Sequence, residues 1–349
     1  MDISVFTVAA YAILIFFATL FLVPLNIVVS KKLKLLDYPS ENSTHKEVRP
    51  ICGGFSLAMP VITGLLVLYL IGYAPADFPS LLPLIIGSFT ILIAGFFDDK
   101  YHLSASWKLF FQIIIAIFMY WGGFRIELLT NPWNDALVLG YFSFPVTLIW
   151  FLLIINAFNL IDGIDGLATG IAVIVSAVLI LIAFRFHNLY LFALSTFLLA
   201  SSLGFLYHNF PPAKIFLGDT GSQFIGFFIA AISIAGSAQY KGITAMTLLA
   251  PILVMFIPLA DTLLAVLRRL KYRKGIFTRD HHHLHHKLLR LGLAPRTINF
   301  IFYFITFLFG LIAIGFSFAD KNILFTILIC LAIIVFIILY IIAKKELLK

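Results

Sequence analysis

The stretch Asn156-Ala-Phe-Asn159-Leu-Ile-Asp162-Gly-Ile-Asp165-Gly166 sets four amide or carboxylate side chains at intervals of three, at the end of an apolar run. On a helix that spacing holds them on one slowly drifting face. Gly163 and Gly166 also allow the backbone to unwind and approach a ligand. Ionisable groups are costly in an apolar run that crosses a membrane, so a functional site is the default reading. The competing reading is a polar seam that holds helices together.

Further polar clusters share this character. Phe96-Phe97-Asp98-Asp99-Lys100 joins two carboxylates that repel unless a cation sits between them. Magnesium suits such a place, because it takes one or two carboxylates plus substrate phosphate oxygens. A solvated acidic cap paired with Lys100 explains the dipeptide equally well. His208-Asn209, then Phe216-Leu-Gly218-Asp219-Thr220-Gly221-Ser222, runs directly into another apolar stretch. Asp219 or Thr220 could cap that helix, or its free N–H groups could hold phosphate. The order is not that of a Walker A loop.

Two basic loops complete the set. His45-Lys46-Glu-Val-Arg49-Pro50-Ile-Cys52-Gly53-Gly54 ends in a glycine pair where an apolar run begins. That arrangement suits a phosphate or nucleotide, and close helix packing explains it almost as well. Asp280-His281-His282-His283-Leu284-His285-His286-Lys287-Leu288-Leu289-Arg290-Leu291-Gly292 reads as a short amphipathic helix on the membrane surface. Asp280 caps its start, Gly292 ends it, and Leu284, Leu288 and Leu291 form its apolar stripe. The metalloprotease order His-Glu-x-x-His is missing, so recognition of an anionic substrate fits these imidazoles better.

The elements that must position these groups follow from composition. Of 349 residues, 62% are hydrophobic and 11% charged, with mean hydropathy +1.07. Apolar runs of membrane-crossing length recur, which excludes a soluble domain. The chain reads as an all-α polytopic integral membrane protein. Its expected spans, roughly eleven with uncertain edges, lie near 3–29, 52–73, 81–97, 107–122, 141–158, 167–185, 189–207, 220–236, 243–266, 298–316 and 322–343. The first run is too long for a cleaved signal peptide and reads as a retained span.

Charge orients the spans. Twenty of the 24 basic residues fall in loops 30–51, 98–108, 159–166, 208–219 and 267–297 and in the C-terminal tail. Arg125, Arg185, Lys241 and Lys321 fall on the other side. The positive-inside rule then puts the N-terminus outside, the C-terminus in the cytoplasm and the chemistry at the cytoplasmic face. It also accounts for the net charge of +8 without nucleic acid. Lys31, Lys32 and Lys34 read as an anionic-lipid contact. Cys52 and Cys330 are too far apart to suggest a disulfide framework. Segment 123–140, on the outer side, could hold a hairpin or a surface helix. Asp261, inside the ninth span, could pair with Arg268. With no repeat or linker, 1–349 reads as one domain.

These loops resemble one family, the polyprenyl-phosphate N-acetylhexosamine-1-phosphate transferases, and within it the WecA/TagO branch. The resemblance rests on Lys46…Pro50-x-x-Gly53-Gly54, Phe97-Asp98-Asp99, Asn156-x-x-Asn159-x-x-Asp162-Gly-x-Asp165-Gly, Phe216-x-Gly218-Asp219-Thr-Gly-Ser and His283-x-His285-His286, in family order. It implies transfer of N-acetylglucosamine-1-phosphate from UDP-N-acetylglucosamine to undecaprenyl or another polyprenyl phosphate, releasing UMP. That step opens synthesis of a lipid-linked cell-surface polysaccharide such as teichoic acid or lipopolysaccharide, at the bacterial inner membrane. The His281-His282-His283 run leaves the MraY branch, with its muramoyl-pentapeptide donor, as the alternative. A secondary transporter is the reading from another class, weakened by the absence of an inverted repeat.

The resemblance also implies roles. Asp98, Asp99, Asp162, Asp219 and His283 would be catalytic, with Asp98 the candidate base. Asp219 and Asp99 would hold Mg²⁺, or Mn²⁺ in its place. Lys46, Asn159, Gly163, Ile164, Asp165, Asn209 and Phe216 would hold the uridine and donor, with Phe216 stacking on the base and Asp162 facing the metal region. His285, His286 and Arg290 would sit over sugar and phosphates. Flat apolar helix faces leave room for lipid or for a second subunit as a homodimer.

Overall fold

Backbone N–H and C=O groups inside a bilayer have no water to pair with, so a chain this apolar satisfies them within helices. The structure, a computed structural model, describes residues 4–39, 47–73, 78–130, 136–237 and 284–315. Helical pieces at 252, 259, 326–331, 333–334 and 337 are described as well. Its helices are α1 (Val5–Lys32), α2 (Gly54–Leu70), α3 (Leu81–Tyr101), α4 (Ala105–Trp121), α5 (Ser143–Ile161), α6 (Leu167–Arg185), α7 (Leu189–Asn209), α8 (Gly218–Ser237), α9 (Leu284–Arg290) and α10 (Pro295–Gly315). Among the described residues, six helical segments are long and apolar enough to cross a membrane, and α2 and α4 are shorter apolar helices. The protein is a multi-pass membrane protein. Helices α1–α8 and α10 lie where apolar runs predict them. Of the ninth expected span only residues 252 and 259 are described, and Asp261 and Arg268 lie outside the described residues.

Helix α8 is the axis. From Thr220 to Gly236 it is buried without a break, packed by α3 and α5 and touched by α2, α6 and α7. Helix α1 lies against α7 on the rim, where most of its residues are exposed. The start of α8 is crowded enough that neighbours must lack side chains. A Cβ on Gly54 would come within 2.2 Å of the Gly221 backbone, so α2 and α8 meet there only as glycine on glycine. The amides of Gly53 and Gly54 donate to the carbonyls of Phe216 (2.9 Å) and Leu217 (3.0 Å). Close packing therefore accounts for this pair, and its amides are not free for phosphate.

The short strands β1 (Leu36–Asp37) and β2 (Arg49–Pro50) pair antiparallel beside this junction. On the other side, β3 (Leu128–Thr130) and β4 (Ala136–Val138) form the hairpin expected in 123–140. Helix α9 packs on α10, and the turn that follows it reaches Gly292, whose φ of +87° is the left-handed stop expected there. The helix stops at Arg290, so Leu288 is buried while Leu291, in the turn beyond it, is exposed. The apolar stripe is thus shorter than expected. Asp280 and the start of this segment lie outside the described residues.

Candidate active site

Helix α5 stops at Ile161, and residues 162–166 turn out of it before Gly166 (φ +77°) opens α6. The periodic polar stretch is therefore split. Asn156 and Asn159 stay on the helix, while Asp162 and Asp165 stand in the turn. Asn156 donates to Gln112 Oε1 (2.8 Å), and Gln112 Nε2 donates to Gln223 Oε1 (3.4 Å). Gln223 Nε2 in turn donates to Asp98 Oδ2 (3.2 Å). That chain links α5, α4, α8 and α3, so Asn156 belongs to a polar seam. Asn159 belongs to the site, donating to Asp219 Oδ1 and to Ser222 Oγ (3.1 Å).

The α8 N-terminus is capped from another helix. Asp99 Oδ1 accepts the Asp219 amide hydrogen (2.7 Å), and Oδ2 accepts the Thr220 amide (3.1 Å) and the Thr220 hydroxyl. A carboxylate suits that end of a helix, where unpaired amides carry partial positive charge. Neither Asp219 nor Thr220 supplies the cap, although the sequence position of each allows it. Gly218, with φ +74°, admits this arrangement, since a Cβ there would meet Asp99 Oδ2 at 2.6 Å.

Asp98 is buried beside it and takes three donors. Lys108 Nζ stands 2.5 Å from Oδ2, Gln223 reaches the same oxygen, and the Leu103 amide donates to Oδ1 (3.1 Å). Lys108 also reaches Asp219 Oδ2 at 3.2 Å. The aspartate pair is thus no solvated cap, and its partner is Lys108. Lys100 instead lies over the rings of Phe96 and Tyr101. The Lys108 ammonium occupies the point where the Asp98 and Asp219 carboxylates converge. Among the described residues, no group of three acidic, His or Cys side chains gathers as a ready metal site. Two carboxylates that already hold a cation still fit a divalent ion completed by substrate oxygens.

A cleft of about 570 Å³ opens at this junction, lined among others by Asp99, Asn159, Asp162, Gly163, Ile164 and Asp219. Asp165, Asn209 and Phe216 line its other end. Asp165 Oδ2 pairs with Arg49 (2.8 Å) and accepts the Ala213 amide (2.9 Å). Its carbonyl accepts Asn299 (2.7 Å). Arg49 lies 5.5 Å from the centre of the Phe216 ring. Asn209 is spent on the protein: Oδ1 accepts from Gly166 N (3.0 Å) and Thr169 (3.1 Å), and Nδ2 donates to the Ile215 carbonyl (3.0 Å).

Asp162 differs from these, because it has no hydrogen-bond or ion-pair partner among the described residues. Its carboxyl is pushed well above the usual carboxylate range, first by removal from water and then by the charges of Asp219, Asp99 and Asp165. The Cys52 thiol is likewise pushed up, first by burial and then by Asp99. Lys46 and His283 lie outside the described residues, as do the side chains of His285 and His286. Arg290 is exposed at the end of α9.

Sequence reading misses Lys108, Arg49 and Gln223. Lys108 counts there only as a loop charge. Its spacing of four from Gln112, on the first turn of an apolar helix, is the available signal.

Comparison with known proteins meets this geometry. The sequence profile of glycosyl transferase family 4 matches residues 81–237, from α3 to the end of α8. A Bacillus subtilis protein named probable undecaprenyl-phosphate N-acetylglucosaminyl 1-phosphate transferase is 35% identical over 287 residues, covering 82% of this chain and 78% of the relative. The chain belongs to glycosyl transferase family 4. Family members from further afield extend the likeness. A decaprenyl-phosphate N-acetylglucosaminephosphotransferase of Mycobacterium leprae is 32% identical, covering 87% of this chain and 80% of its own length. An undecaprenyl-phosphate alpha-N-acetylglucosaminyl 1-phosphate transferase of Yersinia pestis is 28% identical, covering 77% and 73%. The family profile encloses Asp99, Asp162 and Asp219, which line the cleft, and Asp98 and Lys108, which the ion pairs join to Asp219.

Proposed function

We propose that this enzyme transfers N-acetylglucosamine-1-phosphate from UDP-N-acetylglucosamine to a polyprenyl phosphate, undecaprenyl phosphate in the first place, releasing UMP. The observation that carries the reading is the meeting of Asp98, Asp219 and Lys108 at the capped start of α8, open to the cleft of Asp162 and Phe216. The relatives named above are named for the same transfer. An oxygen of the acceptor phosphate attacks the sugar-bearing phosphorus of the donor, and the bond to the UMP phosphate breaks.

The acceptor needs little activation, since a phosphate monoester has a second pKa of about 6 and is largely ionised at neutral pH. Positioning therefore dominates over proton removal. Lys108 draws the acceptor phosphate toward Asp98, the candidate base. Asp219 and Asp98 would hold Mg²⁺, or Mn²⁺, which would draw charge from the donor pyrophosphate. Asp98 and Asp99 each take three donors, but two of those on Asp99 are backbone amides that open α8, whereas the closest partner of Asp98 is the Lys108 cation that it shares with Asp219. We therefore assign Asp99 to orienting Asp219 rather than to the metal first. Phe216 and Asp165, with Arg49, shape the uridine end. Asn159 orients Asp219, Asn209 ties the loop after α7 to Gly166, and Gly163 and Ile164 offer backbone to the donor. Lys46, His283, His285, His286 and Arg290 complete the phosphate and sugar contacts in this reading.

The same reading makes the chain one transferase domain of eleven spans in the bacterial inner membrane. Its N-terminus is outside, and its C-terminus and active site are cytoplasmic. It is tested with purified protein, undecaprenyl phosphate and UDP-N-acetylglucosamine, following UMP release and the mass of the lipid product. UMP release that requires the acceptor and stops in EDTA is expected. Turnover with UDP-N-acetylmuramoyl-pentapeptide instead would move the chain to the MraY branch, and no turnover with either donor would overturn the reading.

A further inference from the structure

A groove of about 800 Å³ runs along the rim of the protein between α1 and α2; it shares no lining residue with the cleft described above, although its Leu35 and Cys52 adjoin Leu36 and Ile51 of that cleft. Its walls are almost wholly apolar, and among the described residues no acidic residue lines it. Along α1 it extends from Tyr11 to Leu33. At 1.5 Å per residue that is about 33 Å, close to the thickness of a bilayer's hydrocarbon core. Its half nearest the active-site side, from Leu22 to Leu33 on α1 and Phe55 to Met59 on α2, has the depth of one leaflet. Asn26 and Ser30, which line this half, spend their hydrogen bonds on the Cys52 and Ile51 carbonyls and on each other. The wall offers an apolar chain little polar competition.

The end of the groove is basic. Phe96 closes it beside Phe55, the two rings 5.5 Å apart and edge to face. Lys100 Nζ stands 5.9 Å from the centre of that same Phe96 ring. Lys31, Lys32 and Lys34 surround Leu33 where α1 ends, and all three are exposed. Lys31, Lys32, Lys34 and Lys100 make no ion pair among the described residues. Lys34 thus stands between the lining residues Leu33 and Leu35, and Lys100 beside Phe96, at the end of a groove with no carboxylate among its described lining residues. Their long stems can lie along its apolar lip while the ammonium groups reach an anion.

We propose that this half of the groove binds an anionic diacyl phospholipid of the adjoining leaflet, with one acyl chain between α1 and α2 and its phosphate against Lys34 and Lys100. Charge complementarity selects this occupant over a zwitterionic lipid, whose own ammonium would meet the lysines. Place selects it over the acceptor lipid, whose phosphate must reach the cleft, since neither Lys34 nor Lys100 is among the residues that line that cleft. The bound lipid would brace the start of α2, whose Gly53 and Gly54 amides hold the Phe216–Leu217 segment. The proposal does not rest on the assigned reaction.

Native mass spectrometry of the full chain tests it. Phosphatidylglycerol and phosphatidylcholine of identical acyl chains are titrated separately, with undecaprenyl phosphate as a third ligand. A lysine near an anionic headgroup is worth about fivefold in binding. Phosphatidylglycerol is therefore expected to bind about tenfold or more tighter than phosphatidylcholine, and Lys34→Gln with Lys100→Gln should erase that preference. Met59→Trp fills the groove and should weaken both phospholipids. Leu25→Trp does the same from the α1 wall if the first variant fails to fold. Equal affinity of the wild type for the two phospholipids overturns the proposal, and so does unchanged binding in a folded tryptophan variant. One-for-one displacement of phosphatidylglycerol by undecaprenyl phosphate assigns the groove to the acceptor tail and also overturns it. A lipid-free dimer that Met59→Trp dissociates gives the groove to a second copy and overturns it as well.

Discussion

Asp99 grips Thr220 twice, accepting both its amide and its hydroxyl at one carboxylate oxygen. The other oxygen takes the amide of Asp219, so one side chain of α3 satisfies the first exposed donors of a helix buried along its length. Asp99→Ala should lower stability by about 1–3 kcal/mol, the usual penalty for buried donors left unpaired. The loss should be the same with Mg²⁺ and with EDTA in detergent melting experiments. A loss that appears only when Mg²⁺ is present would return Asp99 to the metal.

Lys108 holds apart two carboxylates that would otherwise face each other, Asp98 at 2.5 Å and Asp219 at 3.2 Å. A preorganised cation at a reacting phosphate is worth about 10²–10³ in turnover. Lys108→Gln should therefore reduce UMP release by about a hundredfold or more. Lys108→Arg should recover only part of it, since a planar fork cannot reproduce a point charge between two acids. Turnover of the glutamine variant within threefold of wild type would remove Lys108 from the chemistry.

Much of this site is legible because polar residues are rare in so apolar a chain. Asp98, Asp99, Asp162, Asp165 and Asp219 stand out against their surroundings, and the fold brings the last four to one cleft with Asp98 buried beside it. What the pattern does not carry is pairing. Asp98 looks made for its neighbour Lys100, yet a lysine on the next helix reaches it. Helix geometry turns Lys100 toward the rings of Phe96 and Tyr101, while α4 packs on α3 and carries Lys108 to Asp98 and Asp219. The Gly53-Gly54 amides look free for phosphate because their acceptors, Phe216 and Leu217, are some 160 positions away in the chain. Contacts of that range leave no periodic trace in one sequence.

Arg49 joins the first loop to the nucleotide end of the cleft, pairing with Asp165 while covering the Phe216 ring. It touches neither Asp98 nor Asp219, so its loss should act on donor binding rather than on the transfer step. Arg49→Ala is expected to raise the donor KM about tenfold and to change kcat much less. Asp165→Asn should do the same, and the double variant should be little worse than the poorer single one, because both remove one contact. A fall in kcat with unchanged KM for Arg49→Ala would place it at the reacting phosphates instead.

Asp162 has no partner among the described residues and faces three other acids, and its stability signature follows from that. An unfolded aspartate ionises near pH 3.9, whereas burial and its neighbours raise this group in the folded chain. Below the unfolded value both states are protonated and the residue makes no difference. As pH rises past it, the unfolded chain releases its proton first, so the folded state loses stability until its own raised pKa is passed. Asp162→Asn removes this burden. Melting in EDTA should show no gain for the variant near pH 4 and a gain that grows with pH, then levels off. Mg²⁺ should shrink the gain, because a cation at Asp219 eases the crowding of charge that makes Asp162 costly. A constant offset across the pH range would mean that Asp162 is not held protonated by its surroundings.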